Sequence, residues 1–241
     1  MTSKPLVTVA CLDMAGTTVA DDGSVIAAFS AAVERAGLAA GTPAHAEALA
    51  VVHRAMGQSK IEVFRRILGT EAAAQQANAA FEEHYARSVR SGRVAALPGA
   101  VRTLKTLRAA GIKVCLATGF SPATRDAVLD ALGWRPLIDL ALSPADAGRG
   151  RPWPDLPLTA LVRLGGGAVS ELAVAGDTPS DVESGLHAGA GLVAGVLTGS
   201  ASREDLEQAK APVILEGIAD LLPLLGAGPR AWPGRGAGHR G

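Results

Sequence analysis

Leu6-Val7-Thr8-Val9-Ala10-Cys11-Leu12-Asp13-Met14-Ala15-Gly16-Thr17-Thr18-Val19 is the stretch on which the reading of the fold turns. Mostly apolar, β-compatible residues followed by Asp, Gly and two hydroxyls read as a buried parallel strand ending in a polar loop. Ligands of open α/β sheets bind outside the carboxyl ends of the strands, so Asp13 is delivered to the floor of a candidate active site, as a nucleophile, a metal ligand or both. A simple turn is the competing reading, since Asp and Gly tolerate tight backbone conformations. The rest of the chain decides between them. Ile112-Lys113-Val114-Cys115-Leu116-Ala117 runs into Thr118-Gly119-Phe120-Ser121, and Glu171-Leu172-Ala173-Val174-Ala175 runs into Gly176-Asp177-Thr178-Pro179-Ser180-Asp181. Three strands with polar tips would lie side by side.

Between the first two of these strands the pattern is helical. Ser24 to Gly37 has helical apolar spacing and a glycine stop, and Thr42-Pro43 opens a second helix through Leu49, Val52 and Met56. Gly57-Gln58-Ser59 interrupts it, Lys60 to Leu68 resumes, and a longer helix runs from Glu71 to Arg90. Four helices in a row exceed a simple crossover. Residues 20–93 are therefore expected to form a helical domain inserted after the first strand of a core domain built from residues 1–19 and 94–225. Beyond Leu97-Pro98-Gly99 helices and strands alternate. Helices are expected at 100–110 and 122–132, with a short strand at 137–142 and a Pro, Gly and Arg loop from Ser143 to Pro157. A helix to Leu164, a strand to Asp177, a helix at 181–188, strands at 191–197 and 213–215 and a last helix near Leu225 complete the pattern. The alternation predicts an α/β, Rossmann-like fold with a parallel sheet covered on both faces. The tail, 226–241, is Gly, Pro and Arg with little apolar content and is expected to be disordered.

Hydrophobic residues make up 48% of the 241, enough to fill a substantial core. With 23 basic and 23 acidic residues, nothing suggests a nucleic-acid or membrane partner, whereas a small anionic substrate needs only local positive charge. Cys11 and Cys115 fall in predicted buried strands, where free thiols act as small hydrophobes, and imply no disulfide. Neither a signal-like leader nor an apolar run of the ~20 residues that span a bilayer is visible, so a cytoplasmic location is the expectation. Lysine is far outnumbered by arginine, which makes each lysine notable, because arginine cannot do amine chemistry.

On these motifs the chain resembles, over roughly residues 5–225, the haloacid dehalogenase superfamily of aspartate-nucleophile hydrolases, and within it the phosphonatase branch. The resemblance implies a helical C1-type cap, an aspartyl-phosphate formed on Asp13, and a homodimer through the cap. It also implies a magnesium ion held by Asp13, the Ala15 carbonyl, Asp177 and Asp181; oxygen ligands suit magnesium, and a cation screens attack of one anion on another. Helix capping is the alternative for Asp177 and Asp181. Thr118 matches the hydroxyl that donates to the phosphoryl group at a helix start, with an ordinary N-cap as its alternative. Arg151 in Gly150-Arg151-Pro152-Trp153-Pro154 matches the cationic motif, with Arg149 competing. Substrate is expected against Ala15, Gly16, Thr17, Met56, Gly57, Gly119 and Phe120.

Ala15 is the informative departure. Phosphatases of this superfamily carry a second aspartate there to protonate the leaving alkoxide, an assistance typically worth ~10²–10⁴-fold. Phosphonatases resemble this chain in lacking it, because a carbon leaving group needs an electron sink instead. A cap lysine supplies one through a Schiff base with the substrate aldehyde, and Lys60 in Met56-Gly57-Gln58-Ser59-Lys60 matches it. Burial at a cap–core interface would favour the neutral amine that such chemistry needs. Other positions depart from the branch: Val63 stands for a histidine, Phe120 for a tyrosine, and Ser24 for a cysteine. His53 is a candidate replacement base, or a surface histidine. The expected substrate is thus a small phosphonate, phosphonoacetaldehyde or a relative. The alternatives are a phosphatase for a small phosphate monoester such as phosphoglycolate, with Lys60 only binding substrate, and a non-catalytic phosphate-binding protein.

Overall fold

The computed structural model describes residues 7–20 and 22–226. Its elements in chain order begin with β1 (Val9–Asp13), β2 (Val19–Ala20), α1 (Ser24–Arg35), α2 (Pro43–Arg54), α3 (Lys60–Leu68), α4 (Glu71–Arg90) and β3 (Ala95–Ala96). There follow α5 (Ala100–Ala109), β4 (Lys113–Ala117), α6 (Pro122–Leu132), β5 (Leu140–Leu142), α7 (Pro144–Ala147), α8 (Asp155–Arg163) and β6 (Leu172–Gly176). The chain closes with α9 (Pro179–His187), β7 (Leu192–Val196), α10 (Arg203–Gln208), β8 (Val213–Leu215) and α11 (Leu221–Leu224). The expected tail lies outside the described residues from 227 onward.

Six strands form one parallel sheet in the order β5-β4-β1-β6-β7-β8, the α/β architecture the sequence predicts. β1 and β6 are buried along their whole length, as near-continuous runs of small and branched apolar residues must be when both faces are covered. From β1 the chain winds outward through β4 and β5, then crosses back to wind the other way through β6, β7 and β8. The crevice between β1 and β6 is therefore the switch point where such sheets bind ligands. Cys11 and Cys115 are buried, free and opposite one another in the β1–β4 register.

The helices α1 to α4 lie between β2 and β3, which pair with each other antiparallel and bring the two connecting segments together. In α1, Val25, Ala28, Phe29, Ala32 and Val33 recur at helical spacing and are all buried; α4 turns Ala74, Ala77, Phe81 and Tyr85 toward them. Every Phe and the sole Tyr of the chain meet in one cluster. Phe29 packs on Phe64 at 5.0 Å and on Phe81 at 4.8 Å, and Tyr85 packs on Phe120 at 4.7 Å, ring centre to ring centre. Phe120 belongs to the loop after β4, so the cluster joins the helical insert to the sheet.

The structure differs from expectation where capping chemistry moves a boundary. The region 143–157 is not one loop. Pro144–Ala147 is a helical turn because the Ser143 N–H donates to Asp146, and α8 begins at Asp155, not after Pro157. α9 begins at Pro179 because Thr178 caps it, accepting from Asp181 N with Pro at the first turn. Arg135–Leu137 is a 3₁₀ turn, which delays β5 to Leu140. The short helix α10, capped by Ser202 and Asp205, was not anticipated.

Phe81 touches four rings of the cluster and is fully buried. Phe81→Ala is expected to lower unfolding free energy by about 3–5 kcal/mol, measured by urea denaturation, with the m-value unchanged.

Candidate active site

Asp13 is the last residue of β1 and pairs in register with Ala117, so Thr118 emerges beside it; Asp177 follows β6, and Asp181 sits in the first turn of α9. Carboxylate oxygens of Asp13, Asp177 and Asp181 all lie within 4.8 Å of one another, and all three residues are buried. The predicted trio is thus brought together.

One guanidinium faces it. Arg151 Nη1 stands 2.8 Å from Asp13 Oδ1 and its Nε 2.7 Å from Asp181 Oδ1. Its Nη2 donates to the Ala117 carbonyl at 3.0 Å, and Nη1 also donates to the Gly57 carbonyl at 3.2 Å. Arg149, the competing candidate, is exposed, ion-paired to Asp155 at 2.9 Å and stacked over Trp153. Only Arg151 belongs to the carboxylate cluster.

Asp181 unites the two roles the sequence left open. Its Oδ2 takes the Thr178 N–H at 3.1 Å and the Thr178 hydroxyl, completing a capping box, while Oδ1 meets Arg151. Asp177 is held by the Ser200 N–H at 2.8 Å, the Ser200 hydroxyl at 3.2 Å and the Thr17 hydroxyl at 3.2 Å. Thr17, expected against substrate, commits its hydroxyl to Asp177. The loop after Asp13 closes tightly because Thr17, Thr18 and Val19 N–H groups all converge on the Met14 carbonyl, leaving the Ala15 carbonyl out of the turn. Gly16 has φ +87°, and a Cβ there would stand 2.5 Å from Asp177 Oδ2.

Thr118 is not an N-cap. Ser121 caps α6, and the Thr118 hydroxyl instead accepts the Phe120 N–H at 3.2 Å, which fixes its orientation. The Thr198-Gly199-Ser200 tip of β7 was missed. Ser200 holds Asp177 and the Thr198 hydroxyl donates to the Gly16 carbonyl at 2.7 Å. The signal was present, since Leu197-Thr198-Gly199-Ser200 repeats the hydroxyl and glycine of the β4 tip.

The Gly57–Lys60 segment of the helical insert closes over these tips. A Cβ on Gly119 would lie 2.2 Å from the Gln58 carbonyl, so glycine alone permits the contact. The Lys60 N–H donates to the Gly119 carbonyl at 3.3 Å, and Gln58 Nε2 donates to the Ser180 hydroxyl at 3.1 Å. Lys60 is only 7% exposed; its ammonium lies 5.2 Å from the Phe120 ring centre and 5.8 Å from that of Phe29. Met56 is half-buried against the core, Ser24 is buried at the start of α1, and Val63 is part of the apolar core. His53 is exposed on α2, the surface position that was its alternative.

Burial pushes the Asp13 carboxyl well above the usual range; Arg151 opposes this, and Asp181 and Asp177 add to it. Burial, then the charge of Asp181, pushes Asp177 up to about 6 against its bonds to Ser200. Burial works against the Arg151 charge, but Asp181 and Asp13 outweigh it and hold its pKa above the ordinary value. Three carboxylates against one guanidinium leave an excess of negative charge in a buried space. An all-oxygen donor set of this kind could hold a hard divalent cation.

The sequence model of the haloacid dehalogenase-like hydrolases matches residues 7–189. The chain belongs to that family. A phosphonoacetaldehyde hydrolase of Bordetella pertussis is 34% identical over 113 residues, 46% of this chain and 41% of that protein, so the match spans about two-fifths of that relative's length. A protein named probable phosphatase IndB, of Dickeya dadantii, is 27% identical over 91% of this chain and 92% of its own. A hydrolase structure from Pseudomonas syringae superimposes with a TM-score of 0.78 at 27% identity, covering 91% of this chain and 98% of that one. Among the described residues no helix is long and apolar enough to cross a membrane.

Raised carboxyl pKa values stabilise the metal-free fold below the unfolded value and lose that contribution as pH rises through the folded value. In EDTA, stability is expected to fall between pH 4 and pH 6 as Asp177 ionises, by roughly 2–3 kcal/mol. Millimolar magnesium is expected to restore it at pH 7. Thermal unfolding across pH, with and without the ion, measures both; a flat metal-free profile would contradict the expectation.

Proposed function

We propose that this protein is a magnesium-dependent, phosphonatase-like hydrolase that cleaves the C–P bond of a small phosphonate bearing an aldehyde. The observation that carries this reading is the pairing of Ala15, where a phosphatase needs its acid, with the buried Lys60 beside Phe120. Magnesium on Asp13, the Ala15 carbonyl, Asp177 and Asp181 would screen the phosphoryl charge and orient it. The Lys60 amine condenses with the aldehyde and releases water. Asp13 then attacks phosphorus, and the C–P electron pair passes into the iminium to give an enamine. The enamine takes a proton from solvent at the former C–P carbon to become an iminium; water then hydrolyses the aspartyl-phosphate to phosphate and the iminium to the aldehyde, returning Asp13 and Lys60. Thr118 and the N–H groups at the α6 start hold the phosphoryl oxygens, and Arg151 favours the ionised form of Asp13 against the effect of burial. The helical insert, residues 20–93, acts as a cap that excludes water from the imine.

A second reading is favoured by the probable phosphatase of Dickeya dadantii, which matches nearly end to end, and by Val63 and Phe120, which replace polar groups of the branch. There Lys60 only binds a phosphate monoester. Borohydride trapping with phosphonoacetaldehyde and magnesium, followed by peptide mapping, is expected to find a reduced adduct on Lys60. Lys60→Met is expected to lower phosphate release from the phosphonate on the order of 10³-fold, and Asp13→Asn to abolish it. No adduct, with ester hydrolysis untouched by Lys60→Met, selects the phosphatase.

The missing acid makes its own prediction. Ala15→Asp is expected to raise turnover of simple phosphate esters by about 10²-fold through restored leaving-group protonation. A p-nitrophenyl ester is unsuitable, because its leaving group needs no proton; an alkyl phosphate is the substrate to use.

A further inference from the structure

Beside the carboxylate cluster, α3 and α4 of the insert and the loops after β4 and β5 enclose a cleft of about 500 Å³. Lys60, Gly119 and Arg151 form part of its wall, so it adjoins the site already described. A two-carbon phosphonate would fill a small fraction of such a space, which is within the range of pockets that hold whole organic ligands. Its charge is one-sided. Lys60, Arg65, Arg66, Arg149 and Arg151 line it against Glu62 and Glu82. Arg65 is neutralised by Glu62 and Glu71, Arg149 by Asp155, and Arg151 by Asp13 and Asp181. Arg66 forms no ion pair among the described residues, and Glu82 accepts from Asn78. Opposite α3, the Trp153 ring is 50% exposed, an apolar wall at the cleft rim.

We propose that this cleft receives the organic part of the substrate, and that the substrate is a phosphoryl compound whose carbon chain ends in a second anionic group, bound by Arg66. Arg66 stands six residues beyond Lys60 on α3, about 9 Å further along the helix axis, so a ligand whose phosphoryl group sits at Asp13 must carry an extended chain to reach it. Trp153 supplies apolar contact to that chain. The second anion is a carboxylate or a further phosphoryl group; both present oxygens that a guanidinium binds in the same fork geometry. The inference rests on the proposed function only in placing the phosphoryl group at Asp13, and requires no imine.

Calorimetry with magnesium tests it using ligands that cannot turn over: pentylphosphonate, 5-phosphonopentanoate and pentane-1,5-diphosphonate. The wild-type protein is expected to bind the two compounds with a second anionic end at least about fivefold more tightly than pentylphosphonate, the scale of one partly exposed charge pair. Which of the two binds tighter identifies carboxylate or phosphoryl as the natural group. Arg66→Gln is expected to erase the preference and leave pentylphosphonate affinity unchanged. Equal affinities in the wild type, no binding of any of the three, or a preference that survives Arg66→Gln and disappears in Lys60→Gln would overturn the proposal. Borohydride trapping reads the imine separately, so the two readings can fail independently.

Discussion

A single guanidinium between two buried carboxylates governs this molecule. Without Arg151, Asp13 and Asp181 would face Asp177 with no positive charge among them, in a crevice that water does not screen. The loop that carries Arg151 is anchored by the helix that supplies Asp181. The Ser184 hydroxyl donates to the Trp153 carbonyl at 2.7 Å, and His187 Nδ1 lies 2.9 Å from the Pro152 carbonyl. Asp181, Ser184 and His187, three residues apart along one face of α9, thus fix one carboxylate and the loop of its counter-charge. The geometry holds both partners in place, so removing either one would leave a buried charge without its partner.

Around that pair the parts divide by origin. The sheet contributes its strand tips, each set by a hydroxyl and a glycine that admits a close neighbour: Gly16 and Gly199 pack on Asp177, Gly176 on Asp181, and Gly119 on the insert. The helical insert contributes a backbone carbonyl at Gly57, an amide at Gln58 and an amine at Lys60. Acid groups come from the sheet side, and the amine comes from the insert.

Much of this was legible in the chain because strands of an open parallel sheet announce themselves as apolar runs, and their tips as polar residues. That rule put Asp13, Thr118, Asp177 and Asp181 at neighbouring tips, and the family resemblance supplied their roles. Resemblance alone, through the Gly-Arg-Pro context, put Arg151 ahead of Arg149; the physical difference is which carboxylate each reaches, and that is visible only in three dimensions. Ser200 escaped notice because β7 ends in small residues without an acid. The start of α9 was misplaced because Asp181 reads as a first helical residue when its side chain in fact caps from the third position. The parallel sheet orders distant segments by hydrophobic periodicity, but local hydrogen bonds set the last few residues of each element.

The aromatic cluster carries a kinetic consequence. Because Phe120 is the one ring of the cluster that comes from the sheet, lifting the insert must part it from Tyr85 and Phe81 and wet the rings. A ring pair of this kind is worth about 1 kcal/mol beyond its buried area. Parting the insert from the sheet therefore costs this contact as well as the apolar area it wets. Any step that separates insert from sheet is slowed by that cost, whichever ligand is bound, so differences between ligands fall on their rates of release.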